Sequence, residues 1–512
     1  METYYGIEAA TGAALEGEFE ITEPSMAGEV MERAQVAFNA YQSISADKKG
    51  DFLIAIAEEI EAMGDVLVHR VMAETGLPEG RIIGERGRTM NQLRLFGAVA
   101  KKGEWVEAAI DTADANREPF PKPDLRKQLE PLGPVIVFGA SNFPLAYSAA
   151  GGDTASALAS GCAVVVKAHP AHPGTSELVA KAICKAADRT GMPKNIYQHL
   201  HGTGFELAQE LVKHPLTKAV GFTGSFVGGK ALYDIANQRD EPIPVFAEMG
   251  SVNPVLIFPE TLKLKAAEWG NTYAGSITLG SGQFCTNPGL IVAMKSDGLN
   301  QFTDSLLESL GKIASQQMLH DGISNAFNTG KAKLKSDGIV EVIYTKNEEN
   351  DRLGGPCIAK VDGAKFLQNP TLQKELFGPY SLIVACENAD EMLAVIQSLE
   401  GQLTGTMIIE KEELEHYNDH FNALKNTVGR IIFNGVPTGV EVATSMNHGG
   451  PFPATTDSRY SAVGADAIKR FARPVSYQNC PSILLPFALQ NDNPNGIYRK
   501  VNGELSNASI SS

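Results

Sequence analysis

Between Val135 and Phe258, short runs of β-branched and aromatic residues alternate with segments of helical periodicity, and this alternation constrains the fold more than any other feature. Val135-Ile136-Val137-Phe138 precedes a helical stretch through Ala155 to Ala159, and Val164-Val165-Val166 precedes one from Ser176 to Arg189. Ala219-Val220-Gly221-Phe222 and Val255-Leu256-Ile257-Phe258 follow. Apolar runs without polar alternation suit strands covered on both faces, and the intervening helices supply the covers, as in a parallel, doubly wound sheet. From about Lys263 to Leu424 the rhythm repeats, with strands at Ser381 to Ala385 and Gly405 to Ile409 flanking a helix from Ala389 to Leu399. A second α/β domain is predicted there.

A chain of 512 residues exceeds one ordinary hydrophobic core, so two or more domains are expected. The first strand is preceded by amphipathic helices at Gly28 to Tyr41 and Phe52 to Met63, where Leu53, Ile56, Ile60 and Met63 recur at helical spacing. Trp105 to Ile110 reads as a strand that opens an excursion from Glu104 to Glu130, and Val475-Ser476-Tyr477 reads as another beyond Pro474. The tail from Asn491 to Ser512 is rich in Asn, Ser and Gly, and its end is expected to be mobile.

Several function classes are excluded. A formal net charge of −16 with no basic stripe repels a phosphate backbone, so no nucleic acid is expected. The N-terminus lacks the basic start and apolar core of a secretory signal, and no apolar run approaches the ~20 residues of a membrane span. A cytoplasmic protein without a membrane partner is predicted. The 6 cysteines form no C-x-x-C pair, so neither a metal site nor a disulfide framework is expected.

One cysteine stands apart. Gly280-Ser281-Gly282-Gln283-Phe284-Cys285-Thr286-Asn287-Pro288-Gly289 sets Cys285 in a glycine-dense loop whose backbone amides can crowd a reacting group and lower the thiol pKa. Alone, such a residue also fits a small buried side chain. Other segments carry further candidates: Ser141-Asn142-Phe143-Pro144, Val165-Val166-Lys167, Gly221-Phe222-Thr223-Gly224-Ser225, Ala247-Glu248-Met249-Gly250 and Glu375-Leu376-Phe377-Gly378-Pro379. Singly, Asn142 also suits a turn, Lys167 a strand end and Glu248 a solvated surface.

In this order, with Gly282 to Thr286 as a G-Q-x-C-T motif, these segments resemble the aldehyde dehydrogenase family over roughly Gly28 to Gln478. The resemblance implies an α/β, aldehyde dehydrogenase-like fold of two doubly wound domains plus a small β oligomerisation element. It divides the chain into a dinucleotide-binding domain (1–103 and 132–252), a catalytic domain (253–460), oligomerisation strands (104–131 and 470–490) and a tail (491–512). A homodimer or homotetramer is implied.

The resemblance also assigns roles. Cys285 is the nucleophile toward an aldehyde, and the Asn142 amide and the Cys285 N–H receive the charge that develops on oxygen. Glu248, whose apolar neighbours favour a raised pKa, activates water against the thioester. NAD or NADP accepts the hydride. Lys167 reaches the ribose hydroxyls, Gly224 and Ser225 open a helix that holds pyrophosphate, Glu375 holds the nicotinamide ribose and Phe377 borders the ring. Phe138, His169, Gly204, Thr223, Gly228 and Met249 complete the cofactor site. Pro170 stands where NAD-preferring members carry Glu, and His169, His172 or Thr175 can donate to a 2′-phosphate, which tilts the choice toward NADP.

For the substrate side, longer stretches at Gly139 to Ala146, Lys167 to Thr175, Asn434 to Val442 and His448 to Thr455 resemble the 2-oxoglutarate semialdehyde (2,5-dioxopentanoate) dehydrogenases. The same stretches also resemble NADP-dependent long-chain aldehyde dehydrogenases, the main rival. A semialdehyde carboxylate needs a cation, and Arg459 with Ser458, Thr455 and Thr456 is the candidate cluster, a surface ion pair being the alternative. Phe143, Phe284 and Phe452 are expected to line the substrate site, with His448 either moving protons near the thiol or serving its loop. Transfer of the acyl group to coenzyme A or phosphate leaves Glu248 without a task, and a non-catalytic binding role leaves the whole set without one.

Overall fold

The computed structural model describes residues 2–348 and 350–510. A hairpin of β1 (Thr3–Ile7) and β2 (Ala14–Glu20) leads into four helices, α1 (Ala27–Tyr41), α2 (Ala46–Ala62), α3 (Gly64–Thr75) and α4 (Glu79–Lys102). The predicted periodicity in α2 is realised: Leu53, Ile56 and Ile60 are buried, each contributing about 1.5–3 kcal/mol. Two strands follow, β3 (Ala109–Asp111) and β4 (Leu125–Pro131). The expected strand at Trp105 is corrected, because Glu104–Val106 forms a 3-10 turn and Glu107 adopts a left-handed conformation, so pairing starts only at Ala109.

The next elements are β5 (Val135–Phe138), α5 (Gly152–Ser160), β6 (Val164–Lys167), α6 (Pro173–Thr190), β7 (Tyr197–Leu200), α7 (Glu206–Lys213), β8 (Ala219–Thr223), α8 (Phe226–Asn237) and β9 (Val245–Glu248). They form a five-stranded parallel sheet in the order β7-β6-β5-β8-β9. Strands β5, β6 and β9 are buried at every residue, as continuous apolar runs between helices require. The order reverses between β5 and β8, which opens a crevice at the carboxyl ends of the strands.

The second sheet arises from β10 (Pro254–Ile257), α9 (Pro259–Thr278), β11 (Leu290–Met294), α10 (Asp297–Lys312), β12 (Gln316–Gln317), α11 (Asp321–Asp337), β13 (Glu341–Thr345), β14 (Leu353–Gly354), β15 (Cys357–Asp362), α12 (Gly363–Gln368), β16 (Tyr380–Cys386), α13 (Ala389–Ser398), β17 (Gln402–Ile408), α14 (Asn418–Thr427) and β18 (Val428–Phe433). Its order is β13-β15-β16-β11-β10-β17-β18, with only β13 antiparallel to its neighbour. Strands β12 and β14 pair separately.

After a long irregular stretch, β19 (Ala472–Gln478) pairs with β4, and β20 (Arg499–Val501) and β21 (Glu504–Ser506) extend the same sheet from β3. The tail is therefore structured through most of its length: Arg499 is buried, and its guanidinium donates to the carbonyls of Ala488, Gln490 and Asn491. The end expected to be mobile includes Ser511 and Ser512, which lie outside the described residues. No described helix is long and apolar enough to cross a membrane.

Candidate active site

The crevice of the first sheet collects the residues expected to meet a dinucleotide. Phe138 and Lys167 sit opposite each other at the ends of β5 and β6, and Thr223 and Glu248 do so at the ends of β8 and β9. Lys167 is buried, has no hydrogen-bond or ion-pair partner among the described residues, and desolvation lowers its pKa to about 8. Ser225 caps α8 by accepting from the Gly228 N–H, and the helix N-terminus opens beside the crevice. Gly228 and Gly224 pack so closely on the Phe222 ring that a Cβ would lie 3.0 and 2.7 Å from it, and Met249 packs against Gly229. Glu375 wedges against Gly250 and, though open to solvent on one side, is pushed up to about 8 by the protein packed around it. Phe377 lies in the same cleft, and Gly204 is exposed in the loop after β7. An unpartnered lysine, helix amides and a flanking carboxylate form a donor and acceptor set that fits a dinucleotide.

Two of the three expected 2′-phosphate donors are corrected. His172 is buried, with Nε2 on the Ala140 carbonyl at 2.9 Å and Nδ1 on Ser176 Oγ at 3.2 Å. Thr175 donates its hydroxyl to Glu74 at 2.7 Å, and Glu74 also accepts the Gly174 and Thr175 amides at the start of α6. His169 stacks on His172 and Pro170 lies beside it, half-buried.

Cys285 faces this crevice from the loop between α9 and β11. Gly280, Ser281 and Gly282 all have positive φ, and a Cβ on Gly282 would lie 2.3 Å from the Gly378 carbonyl, so the turn needs glycine there. Two asparagines fix the loop: Asn253 donates to the carbonyls of Cys285 and Asn287 at 2.9 Å, and Asn287 donates to those of Gly378 and Tyr380. Asn142 donates to the Gln283 carbonyl at 3.2 Å, which brings its amide to the same loop and leaves a second N–H available.

The thiol, His448 and Glu248 form one group, their ligand atoms within 4.8 Å of one another. His448 Nε2 lies 2.9 Å from Glu248 Oε1 and 3.7 Å from Cys285 Sγ. His448 Nδ1 is buried without a partner, and an idle lone pair costs less than an unpaired N–H, so the proton is assigned to Nε2 and donated to Glu248. Glu248 Oε2 is also buried without a partner, and its strand end is held by Ala454, Thr455 and Thr456. The expected acidic thiol is not found: burial, then the nearby Glu248 carboxylate, pushes the Cys285 pKa well above the ordinary value.

This geometry has a counterpart among known proteins: the profile of the aldehyde dehydrogenase family matches residues 7–451. The chain belongs to the aldehyde dehydrogenase family. The chain is 48% identical over 474 residues to the alpha-ketoglutaric semialdehyde dehydrogenase 2 of Azospirillum brasilense, covering 92% of this chain and 90% of that one. It is 44% identical over 482 residues to the alpha-ketoglutaric semialdehyde dehydrogenase of Acinetobacter baylyi, covering 93% and 91%. A solved glyceraldehyde-3-phosphate dehydrogenase GapN from Methanocaldococcus jannaschii, complexed with NADP, superposes with a TM-score of 0.79 at 18% identity, covering 93% of this chain and 98% of that one. That likeness establishes the aldehyde dehydrogenase fold.

On the other side of the thiol, Phe143, Phe284 and Tyr147 form an apolar cluster with Val440, Val442, Met446 and Val463. The Phe143 and Phe284 rings meet edge to face at 5.4 Å. Of the rest of the expected substrate set, His448 stands at the thiol, while Arg459 with its neighbours and Phe452 are corrected. Arg459 is 77% exposed and held by Asp457, with no contact to the thiol group. Thr455 and Thr456 spend their hydroxyls on the Gly450 and Val245 carbonyls, and Ser458 belongs to the same exposed turn. Phe452 stands exposed against Phe226 at the start of α8, outside the aromatic cluster. Residues that the sequence reading missed include Asn253, Tyr147 and Glu85, which accepts the Leu145 and Ala146 amides and so holds the loop bearing Asn142. Only Tyr147, five residues beyond Asn142, carried a readable signal.

Proposed function

We propose that the chain oxidises 2-oxoglutarate semialdehyde to 2-oxoglutarate, with a nicotinamide dinucleotide as acceptor. The observation that carries the chemistry is the group of Cys285, His448 and Glu248, in which one Glu248 oxygen is engaged by His448 and the other is without a partner. The substrate reading is supported by relatives named for that semialdehyde at 48% and 44% identity over nearly the whole chain.

The Cys285 thiol gives up its proton to solvent, and its sulfur bonds to the aldehyde carbon, whose oxygen becomes an anion received by the free Asn142 N–H and the Cys285 backbone amide. The bound dinucleotide supplies the hydride acceptor at that carbon, leaving an acyl group on sulfur. Glu248 then draws a proton from water as the new C–O bond forms; the C–S bond breaks, Glu248 returns that proton to the departing sulfur, and the product leaves as a carboxylate with its own proton passed to solvent. His448, donating to Oε1, keeps the carboxylate aimed while Oε2 works. Lys167, the α8 amides and Glu375 hold the cofactor.

NAD is the preferred form in this reading, a reversal of the tilt drawn from Pro170. With Thr175 and the first α6 amides committed to Glu74, and His172 committed to Ala140 and Ser176, only His169 of the three expected 2′-phosphate donors stays free, and Lys167 serves the ribose hydroxyls. The sheet containing β4 and β19 carries the expected pairing of subunits, with Ile483, Leu484 and Phe487 exposed beside it.

The test is kcat/KM for the semialdehyde and for a long-chain aldehyde, each with NAD and NADP, with the product identified in the presence of coenzyme A and phosphate. A carboxylate product and preference for the semialdehyde with NAD are expected. Preference for the long chain assigns the enzyme to the fatty aldehyde branch, and an acyl-coenzyme A product removes Glu248 from its role.

A further inference from the structure

A cation drawn partly out of water is costly unless an anion meets it, and the apolar cluster beside Cys285 is walled by half-buried arginines. Arg81 pairs with Glu85 and stacks over the Phe143 and Phe284 rings at 4.4 and 4.9 Å. Arg430, on β18, donates to the carbonyls of Pro437 and Gly439 and so braces the segment bearing Val440. Arg88, on α4, donates from Nη2 to the Tyr147 hydroxyl at 3.2 Å and from Nε to the Val440 carbonyl at 3.3 Å, and its guanidinium lies over the Tyr147 ring.

Among the described residues, Arg88 and Arg430 have no carboxylate within ion-pair distance. Arg88 Nη1 is buried with no acceptor at all. Among the described residues Arg70, Arg81, Arg86, Arg430 and Arg499 also bury an Nε without an acceptor, but Arg88 alone does so with a terminal nitrogen, and leaving a charged donor unmatched is costly. Arg88 is also close enough to the thiol for its charge to act on Cys285, opposing the larger effects of burial and Glu248. Its neighbours are neutral: a tyrosine hydroxyl, a backbone carbonyl and apolar side chains.

We propose that Arg88 is the anchor for the carboxylate at the far end of the substrate, with Arg430 adding positive charge to the same wall. The guanidinium presents a planar fork suited to a 2-oxo acid, while Phe143, Tyr147 and Phe284 enclose the carbons between it and the thiol. Arg88 therefore takes the task that Arg459, paired with Asp457 in solvent, does not perform. This subsite rests on the semialdehyde reading, and it explains how an aromatic pocket selects an anionic short aldehyde over an uncharged chain.

The experiment compares 2-oxoglutarate semialdehyde with pentanal, a neutral aldehyde of equal carbon number, in the wild type, Arg88→Gln and Arg88→Lys. The ratio of kcat/KM between the two substrates is expected to fall about 30-fold or more in Arg88→Gln, mainly through KM for the semialdehyde, and to recover partly in Arg88→Lys. Pentanal turnover reports whether each variant is folded. A wild type without preference for the semialdehyde overturns the substrate reading itself. A wild-type preference that Arg88→Gln leaves intact, or that changes only because both substrates fall equally, overturns the anchor and makes Arg88 a brace for Tyr147 and Val440.

Discussion

The two sides of Cys285 are built in different ways. On the cofactor side, the functional residues close consecutive strands of one parallel sheet, so Phe138, Lys167, Thr223 and Glu248 arrive together because the register brings the strand ends into line. On the other side, Arg88, Tyr147, Phe284, Arg430 and Val440 come from a helix, three loops and a strand of the second sheet. The first arrangement is a property of the fold. The second depends on side chains that can change without disturbing any strand, which is how one scaffold accommodates different aldehydes.

The largest test of this contrast lies at the centre. Glu248→Gln is expected to lower kcat by about 10²–10⁴-fold, since a general base contributes on that scale. The same change removes the carboxylate that raises the thiol pKa, so alkylation of Cys285 by iodoacetamide near pH 7.5 should become faster. Loss of turnover with faster alkylation separates a base from a merely structural carboxylate. Parallel losses in both would remove Glu248 from that role.

The next effect concerns the frame. Asn253→Ala leaves the Cys285 and Asn287 carbonyls without their buried donor, and about 2–3 kcal/mol of stability should be lost in a urea unfolding curve. An equal variant stability would mean that the loop is held by Asn287 alone.

Legibility in the sequence follows the same division. The alternation of strands and helices was readable because buried parallel strands leave unbroken apolar runs, and Cys285, Glu248, Asn142 and Lys167 fall within short contiguous motifs. Arg88 was not readable: it sits among polar residues of α4, and its partners Tyr147 and Val440 lie 59 and 352 positions away. Glu85 was hidden for the same reason, its targets being 60 and 61 residues distant. The 3-10 turn at Trp105 misled because apolar alternation over so few residues also fits a turn packed on a neighbouring helix. The strands β20 and β21 within the tail were not readable, because Arg499 holds them by bonding to backbone carbonyls, which composition does not reveal.

A smaller effect belongs to the cofactor side. With its pKa lowered to about 8, Lys167 is charged at pH 7 and largely neutral by pH 9 in the free protein. A bound dinucleotide favours the charged form, so its affinity should weaken as pH rises through 8, by a few-fold to about tenfold between pH 7 and 9.5. Titration calorimetry with NAD checks this, and Lys167→Arg, which stays charged, should flatten the profile. An unchanged pH dependence in that variant would mean that another group titrates.

The smallest expected effect is the sharpest test of which arginine the substrate meets. Arg459→Ala removes a guanidinium that is 77% exposed, and its partner Asp457 lies two residues away on the same turn. Exposed pairs of this kind contribute about 0–1 kcal/mol, and the residue touches nothing in the Phe143, Tyr147 and Phe284 cluster. KM for the semialdehyde should therefore stay within about twofold of wild type. A rise of tenfold or more would return Arg459 to the substrate site, and because its side chain reaches solvent in the single chain, such a rise would require the 455–460 turn to fold inward when substrate binds. That outcome would also place the charge recognition on the cofactor side of the thiol, and the division between a sheet-built cofactor face and a separately assembled substrate face would no longer hold.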